Sequence, residues 1–211
     1  MSLLQKPKAP ALPYAGNDFD RLYHDQFNKI LRIYFNQLDA VNEGLLGNRG
    51  GKYLDFPYAA IQRTTDKSFT ANTATQITFD TNDFLNGAEN DGTDGIRVAQ
   101  NGIYNYQFSV QLRNTDSQIH SAWIWLRINN IDVPGTASKF DVISSHGGID
   151  GFIIAACNFF VSLDANDTVE MWAAVSNTQV TFEAAAAQTS PFAMPAIPSV
   201  VATLSFVSQK D

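Results

Sequence analysis

The side chains that could do chemistry in this chain are few and are spread along its length. Ser144, Ser145 and His146 supply the residue types of a hydrolase, and Asp141 or Asp150 could complete a triad. A Ser-His-Asp triad is defined by its geometry, and no GxSxG elbow accompanies these residues. We therefore predict no catalytic residues, and we expect that the protein is not an enzyme.

The loop at residues 86–95 is rich in Asn, Asp and Gly and could be a calcium site. Glu89, Asp91 and Asp94 offer the hard oxygen ligands that Ca²⁺ prefers. Their spacing fits neither an EF-hand nor a nonapeptide repeat, and these residue types are those of solvated turns. We interpret the loop as a turn between strands and predict no metal site.

Cysteine and histidine are scarce. Cys157 is the single cysteine, which excludes a disulfide within one chain and a zinc site built on several cysteines. It lies in a small, apolar strand, where a buried thiol that packs as a small hydrophobe is the usual arrangement. His24 lies in a predicted helix and His120 in a predicted loop, so we expect neither a metal nor a cofactor.

Composition indicates a globular protein that carries net negative charge. The 211 residues include 14 Lys and Arg against 21 Asp and Glu, a net charge of −7. Residues 1–67 hold 9 basic and 7 acidic residues, whereas residues 68–211 hold 5 basic and 14 acidic residues. The acidic body argues against nucleic acid and anionic membranes as partners. No apolar segment has the length of a signal peptide or a membrane span, so we expect assembly in a cytoplasm.

The first part of the chain predicts an extended arm and one amphipathic helix. Residues 1–16 carry a proline about every third position, which favours an extended backbone. Residues 17–45 follow the 4-3-4-3-4 spacing of a helical seam that suits helix packing. The seam is Phe27, Leu31, Tyr34, Leu38, Val41 and Leu45, and Phe19, Tyr23, Ile30 and Ile33 widen it. Two interpretations remain: the helix packs on the chain's own body, or it binds a partner protein or other copies of itself.

After a glycine-rich linker at residues 46–52, residues 53–211 show the period of two that is typical of strands. Tyr104, Tyr106 and Phe108 alternate with polar residues, which predicts a strand that buries them in the core or at a subunit axis. Trp123 and Trp125 alternate with Ile124 on the opposite face, and we predict that these tryptophans make an inter-subunit contact.

Eight to ten short strands without intervening helices predict an antiparallel sandwich or barrel. Turn signals such as Asn82-Asp83 and Asn129-Asn130 separate the strands. The stretch at residues 184–198 is rich in small residues and proline, and we interpret it as a long loop that could serve recognition.

The body carries a series of motifs in a characteristic order, at residues 77–80, 95–98, 101–110, 125–130 and 163–172, with 200–207 as the closing strand. In this order and spacing the body resembles TNF-like jelly rolls, which include the globular heads of complement proteins. The family's usual Ala-Gly is Ala165-Asn166 in this chain. The resemblance covers about residues 55–208 and implies a mainly β fold, an antiparallel TNF-like jelly-roll sandwich preceded by one N-terminal helix. It also implies a homotrimer in which one sheet of each protomer faces the three-fold axis.

The layout of arm, aromatic helix, hinge and head is similar to virion proteins of bacteriophages, notably those of marine cyanobacteria. This resemblance implies a structural virion protein in which residues 1–45 bind a capsid or tail component through Phe19, Tyr23, Phe27, Leu31, Tyr34 and Leu38. The expected role is capsid decoration or a short fibre or adaptor, without nucleic acid or membrane insertion. A head that binds a host glycan or receptor is the alternative, followed by a carbohydrate-active jelly roll.

Overall fold

The computed structural model describes residues 8–12, 14, 20–46, 56–90 and 95–210. The chain divides into two compact units, residues 1–55 and residues 56–211. Most of the predicted arm, Phe19 and nearly all of the linker at 46–52 lie outside the described residues.

The first unit contains one long helix, as the seam predicts. Helix α1 spans Arg21–Leu46, and its 26 residues make it about 39 Å long. The Asp20 carboxylate accepts a hydrogen bond from the backbone N–H of Leu22 at 2.9 Å. Asp20 is therefore the N-cap of α1. The helix continues through Gly44 to Leu46. No helix in the described part of the chain is long and apolar enough to cross a bilayer.

The second unit is mainly β and consists of two antiparallel sheets, so the predicted class is confirmed. The described residues of this unit form thirteen strands, and five of them have only two or three residues. The strands are β1 (Tyr58–Arg63), β2 (Thr75–Ile77), β3 (Thr81–Asn86), β4 (Ala88–Glu89), β5 (Ile96–Val98), β6 (Gly102–Asn114), β7 (His120–Ile128), β8 (Ile131–Asp132), β9 (Ser138–Val142), β10 (Gly151–Leu163), β11 (Thr168–Val175), β12 (Val180–Phe182) and β13 (Val200–Ser208).

Strands that are distant in sequence lie next to each other in both sheets. Sheet A has the order β10-β6-β13-β1-β3, with β12 also paired to β6. Sheet B has the order β4-β5-β11-β7-β8, with β2 paired to β11 and β9 paired to β7. The longest strand pair is β6 with β10, which are in register over 13 residues each. Among the described strands, β10 pairs with β6 alone and forms an edge of sheet A.

One apolar core draws side chains from both sheets. Tyr104 and Tyr106 are fully buried and Phe108 is 4% exposed, so all three lie in this core. Ile124 and Leu126 enter it from β7 of sheet B. In β6 and β7 the alternation seen in the sequence therefore determines which face of the strand is buried.

Two local predictions are wrong. Asn82-Asp83 lies inside β3, where Asn82 pairs with Ile61, and is not a turn. His120 is the first residue of β7 and pairs with Val142, rather than lying in a loop. In both cases strand pairing decides the backbone conformation against the local turn preference.

Candidate interaction surfaces

The two carboxylates that could complete a hydrolase triad, Asp141 and Asp150, bind side chains other than Ser145 and His146. Asp141 Oδ1 accepts hydrogen bonds from Ser121 Oγ at 2.6 Å and from Lys139 Nζ at 3.0 Å. These bonds, from Ser121 first and then Lys139, hold the pKa of Asp141 below its usual value. Asp150 Oδ2 accepts from Arg113 Nε at 2.7 Å.

The neighbouring serine and histidine also have local partners. Ser145 Oγ donates to the carbonyl of Thr115 at 3.2 Å. The backbone of His146 forms a two-way bridge with Ile149 at 2.8 and 3.0 Å. In this described stretch no hydrogen bond joins Ser145 or His146 to Asp141 or Asp150, so the structure does not assemble these residues into a triad.

The remaining candidate ligands are dispersed. His120 Nε2 lies 2.6 Å from Asp116 Oδ2, and this bond lowers the pKa of the Asp116 carboxyl. Cys157 Sγ donates to Ser138 Oγ at 3.4 Å. Among the described residues no group of three or more His, Cys, Asp or Glu could hold a metal ion. Two of the candidate calcium ligands, Asp91 and Asp94, lie outside those residues.

The outer face of sheet A, which we call face A, exposes large apolar side chains. Phe152, Ile154 and Phe160 on β10 are 50%, 65% and 66% exposed. Tyr58 on β1 and Phe84 on β3 are 46% and 68% exposed and lie at the other side of the sheet. An apolar surface of this kind marks an interaction site more often than a free surface.

Small and neutral polar residues lie between these large side chains. The register places Ser109 between Ala156 and Val201, and Gln107 between Asn158 and Thr203. These six residues line an open depression of about 490 Å³.

Face A is also uncharged at its centre, although the body is acidic. Between Ile154 and Phe160, the outward residues of β10, β6, β13 and β1 include no Asp, Glu, Lys or Arg. Depletion of charge together with exposed aromatic residues is the compositional signature of an interface core. The sequence reasoning missed this face because β10 is apolar on both sides and shows no alternation. Its 13 residues without a charge were the available signal.

The outer face of sheet B, which we call face B, carries all three tryptophans of the chain. Trp123 and Trp125 lie on β7, and Trp172 on β11 is directly opposite Trp125. All three side chains are half-buried. The two tryptophans singled out from the sequence therefore lie on the sheet opposite to the apolar face A.

Charged neighbours fix the orientation of the indoles on face B. The guanidinium carbon of Arg127 lies 3.9 Å from the ring centroid of Trp172, a cation–π contact. Asp132 Oδ1 accepts from Arg127 Nε at 2.6 Å and from Trp125 Nε1 at 2.7 Å. These two hydrogen bonds lower the pKa of the Asp132 carboxyl.

A buried glutamate holds the adjacent turn of face B. Glu170 is 2% exposed, and its two oxygens accept from the backbone N–H of Asn130 at 2.8 Å and from Trp172 Nε1 at 2.7 Å. Asn129 and Asn130 both have positive φ and form the turn between β7 and β8.

The seam of α1 is the third candidate surface. Tyr23, Phe27, Leu31, Tyr34 and Leu38 are each half-buried, and the rings of Tyr23 and Phe27 stack at 6.1 Å. No described side chain of the helix is fully buried. The seam thus leaves apolar surface uncovered within one chain, as expected of a helix that packs on another surface.

No family model matches the chain, and no curated protein matches it in sequence.

Proposed function

We propose that this protein is a non-enzymatic structural virion protein of a tailed bacteriophage. Its body forms a TNF-like jelly-roll head that associates as a homotrimer and is displayed on the particle. Residues 1–45 attach it to a capsid or tail component, in the role of capsid decoration or of a short fibre or adaptor. The uncharged apolar face A is the observation that carries this proposal.

The strand connections support the jelly-roll part of the proposal. The chain passes from β5 in sheet B to β6 in sheet A, then to β7 in sheet B, and from β10 in sheet A to β11 in sheet B. Successive strands in opposite sheets are a feature of the double-sheet jelly roll. The first and last strands, β1 and β13, are also neighbours.

Face A supports the homotrimer. Most soluble homo-oligomers have closed symmetry, in which every copy makes the same contacts. A closed assembly through face A would therefore cover this face on every copy. Face A has exposed aromatic side chains at its two sides and an uncharged depression at its centre. The aromatic side chains of one copy could therefore pack into the depression of another copy. The centre of this contact, between Ile154 and Phe160, would carry no charge.

The test replaces one exposed isoleucine on each sheet. Ile154→Asp places a charge on face A, and Ile131→Asp places one on β8 of sheet B, where the isoleucine is 72% exposed. All proteins in this test lack residues 1–45, so that only the body can associate. We expect light scattering after gel filtration to give a trimer for the unsubstituted body and for Ile131→Asp, and a monomer for Ile154→Asp. An unsubstituted body that is monomeric at micromolar concentration, or a trimeric Ile154→Asp body, contradicts the proposal.

Attachment to the particle is tested by removing residues 1–45. We expect the shortened protein to remain trimeric and to fail to join virions that lack the wild-type protein. If the shortened protein still joins the particles, the anchoring role of residues 1–45 is wrong.

Face B favours a second candidate function, which is recognition of a host-surface glycan by the head. Half-buried tryptophans beside Arg127 and Asp132 combine flat apolar rings with hydrogen-bonding groups. A glycan array would detect this binding, and Trp123→Ala is expected to abolish it. An assay for released sugar would distinguish binding from hydrolysis.

A further inference from the structure

The charges of helix α1 follow a strict pattern around its seam. With Leu31, Leu38 and Leu45 at heptad position a, the seam residues Phe27, Tyr34 and Val41 occupy position d. The five charged residues between Leu22 and Leu46 all lie at the outward positions b and f: Asp25, Arg32 and Asp39 at b, and Lys29 and Glu43 at f.

Apart from Arg21, the first residue of the helix, the positions that flank the seam are uncharged. After Arg21, position e holds Asn28, Phe35 and Asn42, and position g holds Tyr23, Ile30, Gln37 and Gly44. In coiled coils, charged e and g residues select a different partner chain or a partner orientation. Their absence after Arg21, on a seam with a heptad spacing, favours further copies of the same helix as the partner.

The seam composition also indicates the number of helices. Two-stranded coiled coils favour a β-branched residue at a and leucine at d, whereas leucine at a with a β-branched residue at d favours three or four strands. This helix has leucine at every a position from Leu31 onward and Val41 at a d position. Ile30 at g and Phe35 at e widen the apolar surface beyond what a dimer covers.

The described part of the N-terminal arm lies beside the a and d positions of the seam. Ala11 and Leu12 line a depression of about 540 Å³ together with Gln26, Lys29, Ile30 and Ile33. Gln26 and Ile33 are c positions, Lys29 is an f position and Ile30 is a g position, so none of the a and d residues lines this depression.

We propose that α1 forms a parallel three-stranded coiled coil with the same helix of two further copies. Phe27, Leu31, Tyr34 and Leu38 then contact sister helices, and attachment to the particle passes to the arm and the outward side of the helix. Ile33 is 49% exposed and Leu22 is 64% exposed on that side. The number three rests on the proposed trimer of the head.

Disulfide trapping in the full chain tests the proposal. In a Cys157→Ser background, Val41→Cys places a thiol at d and Glu43→Cys places one at f, two residues away. In a parallel coiled coil the d thiols of neighbouring copies meet at an effective concentration in the millimolar range. We expect Val41→Cys to form covalent dimers roughly a hundredfold faster than Glu43→Cys at micromolar protein. Equal rates in a trimeric protein would overturn the coiled coil and leave the head proposal intact.

A second pair of variants separates the coiled coil from the head. Leu31→Asp with Leu38→Asp charges the seam, and Ile33→Asp charges the outward side as the control. We expect the seam variant to lose its helical circular-dichroism signal at 222 nm while it stays trimeric, and the control to keep both. A seam variant that retains the signal overturns the coiled coil. A seam variant that loses it and becomes monomeric supports the coiled coil and overturns trimerisation through the head.

Discussion

Two buried tyrosines on β6 differ in what their hydroxyl groups contact. Tyr104 donates a hydrogen bond to the carbonyl of Gln100 at 2.7 Å. The hydroxyl of Tyr106 is buried and has no hydrogen-bond partner among the described residues. Burial raises the pKa of both phenols, since it disfavours the charged form. Both side chains therefore pack in the core in their neutral form. Of the two hydroxyl groups, only that of Tyr104 forms a hydrogen bond with a described residue.

This difference predicts opposite effects of the same substitution. Tyr104→Phe removes a hydrogen bond and is expected to lower the free energy of unfolding by about 1 kcal/mol. Tyr106→Phe removes an unpartnered hydroxyl and is expected to leave this free energy unchanged or to raise it by up to about 1 kcal/mol. Urea unfolding of the two variants checks the prediction. A loss of stability in Tyr106→Phe as large as that in Tyr104→Phe would contradict it.

At the scale of elements, the start of β10 lies against the chain that follows β9. A Cβ atom built on Gly151 would lie 1.9 Å from the carbonyl oxygen of Ile143. That oxygen belongs to the backbone, so it cannot move aside as a flexible side chain can. The close approach requires a glycine at this position.

Gly151→Ala is therefore expected to lower the free energy of unfolding by about 2 kcal/mol or more. Gly147→Ala is the matched control, because Gly147 has open space around its Cβ position and a φ of +61°. The control should cost about 1 kcal/mol, the strain of a left-handed alanine. Thermal unfolding of both variants provides the measurement. Equal losses would mean that the contact with Ile143 has no energetic role.

The sequence predicts the long strands and the helix well, because their periods are local properties. In β6 and β7 the alternation identifies Tyr104, Tyr106 and Ile124 as inward residues, and all three are buried. Strands β4 and β8, of two residues each, were not predicted, since they exist only through their pairing partners. Strand β3 was missed because Asn82 and Asp83 are residue types that favour turns.

The candidate surfaces were predicted unevenly. The helix seam and the outward Trp123 and Trp125 follow from spacing alone. Face A depends on which strands become neighbours, and its exposed members Tyr58, Phe84 and Phe160 come from three strands that are distant in sequence. No periodicity within one strand can indicate such a surface.

At the scale of the whole molecule, the division at residues 55 and 56 predicts that the body folds without the N-terminal unit. The described buried core residues of the body all lie between Ala59 and Leu204, so removal of residues 1–55 takes none of these side chains. We expect residues 56–211 to keep the β-sheet circular-dichroism spectrum and a cooperative melt within a few degrees of the full chain.

The same fragment reports on assembly. If the body associates through face A, its melting temperature rises with protein concentration, because association stabilises the folded form by mass action. The melt of Ile154→Asp should not depend on concentration. A fragment that is unfolded at room temperature would show that the two units fold together.

The exposed edge formed by β10 affects how the newly synthesised chain can associate. Charged side chains and prolines usually keep an exposed edge strand from pairing with other chains. The 13 residues of β10 contain neither. In a single copy of the body this edge is a template for strand addition. If the body assembles through face A as proposed, closure into a trimer and open-ended growth along this edge compete for the same unassembled chains. Open-ended growth needs many successive additions and a trimer needs only two, so slow release of the chain at low concentration is the condition expected to favour the proposed trimer.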